Sequence, residues 1–199
     1  MLLKPIKCPK CGSPITGKQR DLMLQCPACD TIYLFDRDMC GVRQVPYTIA
    51  SPVKEGNGTE TKVYIPFWVI HANLNVMYED ISGGAIRRAV KDERQMRGER
   101  DFYVCAADSV PEEVSRIWNM ELTLNQPVIT EQSGFKGARR EVMSMDEESA
   151  RSAAEFLFLR HETEIPGTLQ KLEYDFVIRD SRVVYLPAFK SGETYTPAL

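Results

Sequence analysis

Alternation of apolar and polar positions dominates the middle and the end of the chain. From 63 to 78, Tyr64, Trp68, Ile70, Ala72, Leu74, Val76 and Tyr78 share one parity, which predicts a buried sheet face. The other parity runs Val63, Ile65, Phe67, Val69 and then His71, Asn73, Asn75, so the second face starts covered and ends wet. Such a stretch exceeds an ordinary strand, and a bend or bulge is expected near Pro66 or His71. "LEYDFVI" (172–178) alternates with Leu172, Tyr174, Phe176 and Ile178 inward, and "RDS" (179–181) is expected to turn it into a hairpin. "KEGNGTE" (54–60) reads as a hairpin tip.

Helical spacing appears twice. Ser109 and Glu112 form an S-x-x-E capping box before "VPEEVSRIWNM", with Pro111 in the first turn. Ser144 and Glu147 form another before "DEESARSAAEFLFLRH", where Ala150, Ala153, Ala154, Leu157 and Phe158 make an apolar stripe suited to a core. His161 ends that helix, where a cation suits the dipole. The stretch 82–101 mixes six basic with four acidic residues and reads as a solvated connection or exposed helix.

Three stretches share a pattern: "VYIPFWVIHA" (63–72), "FYVCAADS" (102–109) and "VYLPAFKS" (184–191). Tyr64, Tyr103 and Tyr185 align in them, as do Pro66, Cys105 and Pro187. A fragment at 44–50, "QVPYTIA", has a weaker form of the same step.

The chemistry lies before all of this. Cys8 and Cys11 are two residues apart, as are Cys26 and Cys29, with fourteen residues between the pairs. This fits a C-x2-C…C-x2-C zinc pattern at its short edge. Pro9 and Pro27 fix φ after the first thiolate of each pair. Gly12 and Asp30 follow the second, where a left-handed residue is often needed. Four thiolates fill a tetrahedral Zn²⁺ and leave no position for water, the mark of a structural site. A disulfide reading conflicts with the duplicated knuckle and with a reducing compartment. Iron in a rubredoxin-like site would use the same ligands, but with a longer gap and glycine after both pairs. Zinc is the expectation. Residues 6–35 resemble the zinc-ribbon superfamily, and that resemblance implies a hairpin from 13 to 25 with "DLMLQC" returning and "TIYLF" (31–35) as a third strand. It fixes the metal and not the job.

Composition narrows the rest. The net charge is -3, so the whole molecule is not a nucleic-acid sponge. Residues 1–35 carry Lys4, Lys7, Lys10, Lys18 and Arg20 against Asp21 and Asp30, and the thiolate–metal site subtracts two more charges, leaving little field for phosphate. The longest apolar run, 63–72, is too short to span a bilayer, and the first residues lack the apolar core of a secretory signal, which places the protein in the cytoplasm. No phosphate loop, nucleophile elbow or H-E-x-x-H motif occurs. Two readings stand for His71, a small-ligand site and a solvated strand face, and the second is adopted. Cys105 with His71 as base would make an enzyme, but Cys105 occupies a position where the other copies pack a proline. Cys40 gets no role.

The expected fold class is α+β: a four-cysteine zinc ribbon at 1–36, a linker at 37–44, and a mainly antiparallel β domain with two principal helices at 45–199. The chain from 45 onward resembles bacterial and archaeal proteins that join such a ribbon to repeated Tyr-aliphatic-Pro-Phe/Ala motifs, which implies architecture and no mechanism. The functional expectation is a zinc-binding, non-enzymatic adaptor whose partner is a protein, met through the ribbon hairpin or the 82–101 connection. A nucleic-acid-associated ribbon protein is the alternative, and an enzyme using Cys105 and His71 comes third.

Overall fold

The computed structural model describes residues 6–17, 20–37, 39–56, 58–82, 96–164 and 168–199. Over these residues it is an α+β structure of two helices and mostly antiparallel strands. A small sheet holds β1 (Met23–Gln25), β2 (Ile32–Asp36) and β3 (Gly41–Arg43), in that order. The body is a larger sheet built on two very long strands, β5 (Thr61–Ser82) and β8 (Thr168–Ser191). On β8 lie β4 (Tyr47–Ile49), which runs parallel to it, and β9 (Thr194–Pro197). On β5 lie β6 (Gly98–Cys105) and the two-residue β7 (Arg139–Arg140).

The alternation along β5 is realised on both faces. Tyr64, Trp68, Ile70, Ala72 and Leu74 enter one core, and Val63, Ile65, Phe67 and Val69 enter another. The second core ends at His71, because beyond it only half-covered or exposed Asn73 and Asn75 continue that face. The expected irregularity is found between His71 and Ala72. The helices flank the sheet. α1 (Glu112–Asn125) places Trp118 in the second core, stacked on Phe67 at 6.4 Å. α2 (Glu147–Glu164) places Ala150, Ala154, Leu157 and Phe158 in the first.

Several local expectations are corrected. Residues 179–181 form no turn: β8 stays paired with β5 through them, with Asp180 opposite His71 and Ile178 opposite Ala72, so the extra residue is absorbed as a bulge. The true two-residue hairpin is Gly192–Glu193, between Ser191 and Thr194, where Gly192 takes φ +60. The 54–60 stretch, of which Asn57 lies outside the described residues, is no hairpin tip, since β8 lies between β4 and β5. Neither capping box forms. Ser109 donates to Glu141 at 3.0 Å, and α1 begins without a side-chain cap. At α2 the cap is Asp146, whose Oδ1 accepts the Ser149 N–H at 2.8 Å; that bond holds the Asp146 carboxyl below its ordinary value. Residues 83–95 of the expected solvated connection lie outside the described residues. Its end is neither a connection nor a helix: Met96 is fully buried, Arg97 reaches Glu162 at 3.1 Å, and 98–101 belong to β6, where Gly98 and Glu99 are exposed. Within the segment read as a linker, residues 41–43 pair with β2.

The repeat has a structural meaning for two of its three copies. Tyr64 lies opposite Pro187 and Pro66 opposite Tyr185, so the first and last copies face each other about Ile65 and Leu186. Both prolines sit at gaps in the outer ladders. On β5, β6 ends opposite Phe67 and β7 ends opposite Tyr64. On β8, β4 ends opposite Tyr185 and β9 ends opposite Ala188. A residue without an N–H costs nothing where no neighbouring strand waits for one. The carbonyls still serve: Pro66 accepts from Ala106 at 2.9 Å and Pro187 from Ala198 at 3.0 Å. Cys105 lies opposite Phe67, so it is not the counterpart of either proline.

Helix α1 seals the free edge of β6. The outward N–H groups of Cys105, Tyr103 and Asp101 donate to Asn119 (2.8 Å), Thr123 (2.9 Å) and Gln126 (3.3 Å). Outward groups recur about every 6.6 Å on a strand, and steps of four and three residues rise about 6 and 4.5 Å on a helix, so the two spacings run nearly together. An edge covered this way cannot recruit another strand. Thr123 is fully buried. Replacing it by Val leaves the Tyr103 N–H without an acceptor and should cost about 1–3 kcal/mol. Thermal melts should place Thr123→Val on the order of 5 °C below wild type, with Thr123→Ser near wild type; equal melts for all three would contradict the sealing role.

Candidate metal centre

The four N-terminal cysteines converge, their sulfurs all within 4.8 Å of one another. Two of the edges measure 3.6 Å (Cys8 to Cys29) and 3.5 Å (Cys11 to Cys26). A disulfide would bring sulfurs to about 2 Å. Sulfurs about 2.3 Å from a common tetrahedral centre lie about 3.8 Å apart. The donor set and its spacing therefore fit a tetrahedral ion.

The two knuckles are built alike. Gly12 N–H donates to the Cys8 carbonyl at 2.8 Å, and Asp30 N–H to the Cys26 carbonyl at 2.9 Å. The turn is then left in the left-handed region, Gly12 at φ +74 and Asp30 at φ +57. Cys8 N–H donates to Ser13 and Cys26 N–H to Thr31. Inside each turn, backbone N–H groups aim at the first sulfur, those of Cys11 and Lys10 at Cys8, those of Ala28 and Cys29 at Cys26. Burial raises the Cys26 thiol to about 11 against the pull of its amides. Burial also works on Cys8, but there the Tyr33 hydroxyl and the amides outweigh it and bring the thiol to about 6.

Tyr33 and Thr31 are the residues that spacing did not reveal. Tyr33 is fully buried with its hydroxyl 3.5 Å from Cys8 Sγ, and this contact, followed by burial, pushes its own ionisation to about 12. Thr31 Oγ1 stands 3.4 Å from Cys29 Sγ, and it lowers the Cys29 thiol. Such contacts from donors outside the ligand set orient sulfurs and spread their charge. The only sequence signal was alternation: Tyr33 shares its side of β2 with the cysteine cluster, while Ile32 and Leu34 point the other way.

That second side matters. The hairpin of β1 and β2 is a layer with two faces. Leu24 and Tyr33 join Cys8, Cys26 and Ile15 around the sulfurs. Leu22, Met23, Ile32 and Leu34 are part of the first body core, with Tyr64, Tyr185 and Met143. A buried ion pair pins the contact: Arg140 Nη2 lies 2.8 Å from Asp21 Oδ2 and donates to the Met23 carbonyl at 2.5 Å. Asp21 also accepts the N–H groups of Met23 and Met143, each at 3.2 Å. At the rim Arg43 meets Glu147 of α2 at 2.5 Å.

The structure does not bring Cys105 and His71 together. Cys105 lies opposite Phe67 and His71 opposite Asp101, four residues or about 13 Å along the strands. His71 instead lies between Asp101 (2.8 Å) and Glu99 (3.1 Å), with Arg182 on the far side of Asp101. Cys105 is buried and its thiol pushed up to about 11, chiefly by that burial. Cys40 is exposed. A thiol reagent on the native metal-loaded protein should modify Cys40 within minutes and Cys105 only after denaturation. Rapid loss of Cys105 that His71→Ala suppresses would contradict this.

No family model, curated protein or solved structure matches the chain. No helix among the described residues is long and apolar enough to cross a membrane.

Proposed function

We propose that the chain is a zinc-binding, non-enzymatic adaptor that binds another protein, its N-terminal unit a zinc ribbon. The observation that carries the reading is the complete four-sulfur set of Cys8, Cys11, Cys26 and Cys29 on the back of a hairpin whose other face is buried in the body. Four thiolates complete the coordination of Zn²⁺ and leave no position for a substrate. The ion would hold a surface in place rather than act on a ligand. A protein partner agrees with the charge: the chain is acidic overall, and the positive groups of Arg43, Arg97, Arg140 and Arg182 are each engaged by carboxylates. Counterion release on nucleic acid needs a concentrated, unengaged basic surface.

Elemental analysis of the purified protein should give about one zinc per chain with iron minor; a red, iron-loaded protein from cells grown without excess iron would defeat the metal assignment. Affinity capture from the native host should retain a protein partner after nuclease treatment. Random DNA or RNA near physiological salt should bind more weakly than roughly 100 μM. A micromolar, steeply salt-dependent nucleic-acid complex would replace the adaptor reading.

A further inference from the structure

The two outer edges of the large sheet are treated differently. That of β6 is closed by α1. That of β4 borders a groove between the body and the N-terminal unit, made of two adjoining cavities of about 710 and 380 Å³ that share Ile32 and Tyr47. Together they follow the six residues from Gln44 to Ile49, the last three of which are β4.

Hydrogen-bond parity shows which groups face that groove. Val183 N–H donates to the Pro46 carbonyl and Ala50 N–H to the Tyr185 carbonyl, so even-numbered residues of β4 bond to β8. Odd-numbered residues bond outward: Gln132 N–H donates to the Ile49 carbonyl at 2.9 Å and Ser51 N–H to Thr130 at 2.7 Å. The stub at 130–132 covers only that end. Beyond it the Ile49 N–H and both backbone groups of Tyr47 point into the groove. Its floor is apolar at Ile32 and Ile49, which are buried, and its rim carries exposed Asp30 and Glu131.

We infer that this groove binds an extended segment of a partner protein, which adds to the sheet as a strand beside β4. The Tyr47 N–H and carbonyl and the Ile49 N–H find no backbone partner among the described residues; groups so placed along an edge are met by another backbone, and a groove several residues long suits a strand better than a compact molecule. The apolar floor takes alternate side chains. The rim has two carboxylates against one ammonium, Lys136, so the segment carries a Lys or Arg among its outward residues. This inference rests on the adaptor reading and names the partner's chemistry. The groove is walled on one side by Gln25, Asp30 and Ile32, which adjoin the metal knuckle Cys26–Cys29, so metal occupancy shapes it.

The test is selection of a random octapeptide display library on the full-length, zinc-loaded protein, followed by amide mapping with a synthetic winner. Selected peptides should alternate apolar residues with Lys or Arg. Their binding should shift the Tyr47 and Ile49 amides and slow exchange of the Ile49 N–H at least tenfold. Glu131→Lys, at an exposed side chain, should weaken binding about tenfold without changing the melt. A selection that returns nothing above an unrelated protein, or winners that leave Tyr47 and Ile49 undisturbed and bind Glu131→Lys equally, overturns the groove. A host protein bound without shifts at Tyr47 and Ile49 also overturns the groove while leaving the adaptor reading intact.

Discussion

Stripping the metal from the zinc-loaded protein with a strong chelator will lower the melting temperature of the whole chain by about 10 °C or more, in one transition. The argument starts from the small size of the N-terminal unit. Around its sulfurs, among the described residues, Ile15, Leu24 and Tyr33 are buried with Cys8 and Cys26, too few to fold a hairpin unaided. Zinc binding in such units supplies on the order of 10 kcal/mol of folding free energy. Without it the hairpin loses its shape, and its other face leaves the body core. Leu22, Met23, Ile32 and Leu34 are each at most 4 % exposed. Burial of each is worth about 1.5–3 kcal/mol, so the body loses several kcal/mol of cover at once. A domain of this size melts about 2–4 °C lower for each kcal/mol lost. Calorimetry with and without chelator decides the matter. Two separated transitions, with the upper one unmoved, would show that residues 1–36 fold as a unit apart from 45–199.

Arg140→Met will destabilise the protein by about 3–5 kcal/mol, the next largest effect. Its side chain is the only cation set against Asp21 among the described residues, and the Asp21 side chain is 2 % exposed. Truncation strands a carboxylate beneath the hairpin, where it cannot regain water. Burial works against the charge on Arg140 itself, but Tyr185 and Asp21 beside it outweigh that and raise its pKa. The double variant Asp21→Asn/Arg140→Met keeps an oxygen for the N–H groups of Met23 and Met143 and removes the buried charge. It should recover much of the loss. Denaturant melts of the three proteins measure this. A single variant within 1 kcal/mol of wild type would mean the pair does not hold the hairpin down.

Periodicity carries most of the strand-level picture, because side-chain direction in a strand is fixed by residue parity alone. It placed Tyr64, Trp68 and Ile70 on one face of β5 and Phe67 and Val69 on the other, and it found where that second face turns wet. Cysteine spacing carries the four-sulfur cluster for a similar reason: a C-x2-C knuckle is local geometry, closed within a few bonds. Capping was less legible. Ser109 and Ser144 matched a motif, yet Ser109 turned to Glu141 and Asp146 took the cap at α2, since a short polar side chain bonds to whatever tertiary packing brings nearest.

What the sequence determined by itself is local: the two knuckles, the parity of β5 and the inward side of 172–178, and the apolar stripe of α2. Only the tertiary structure decided that β8 runs unbroken through 179–181, because pairing with β5 over its whole length outweighs three polar residues that look like a turn. It alone decided that Cys105 and His71 stand apart, since their distance is set by strand register. And it alone joined Asp21 to Arg140, 119 positions apart, so that the back of the cysteine hairpin became part of the body's core. A contact of that sequence separation leaves no periodic trace, because it depends on which faces meet after each has formed.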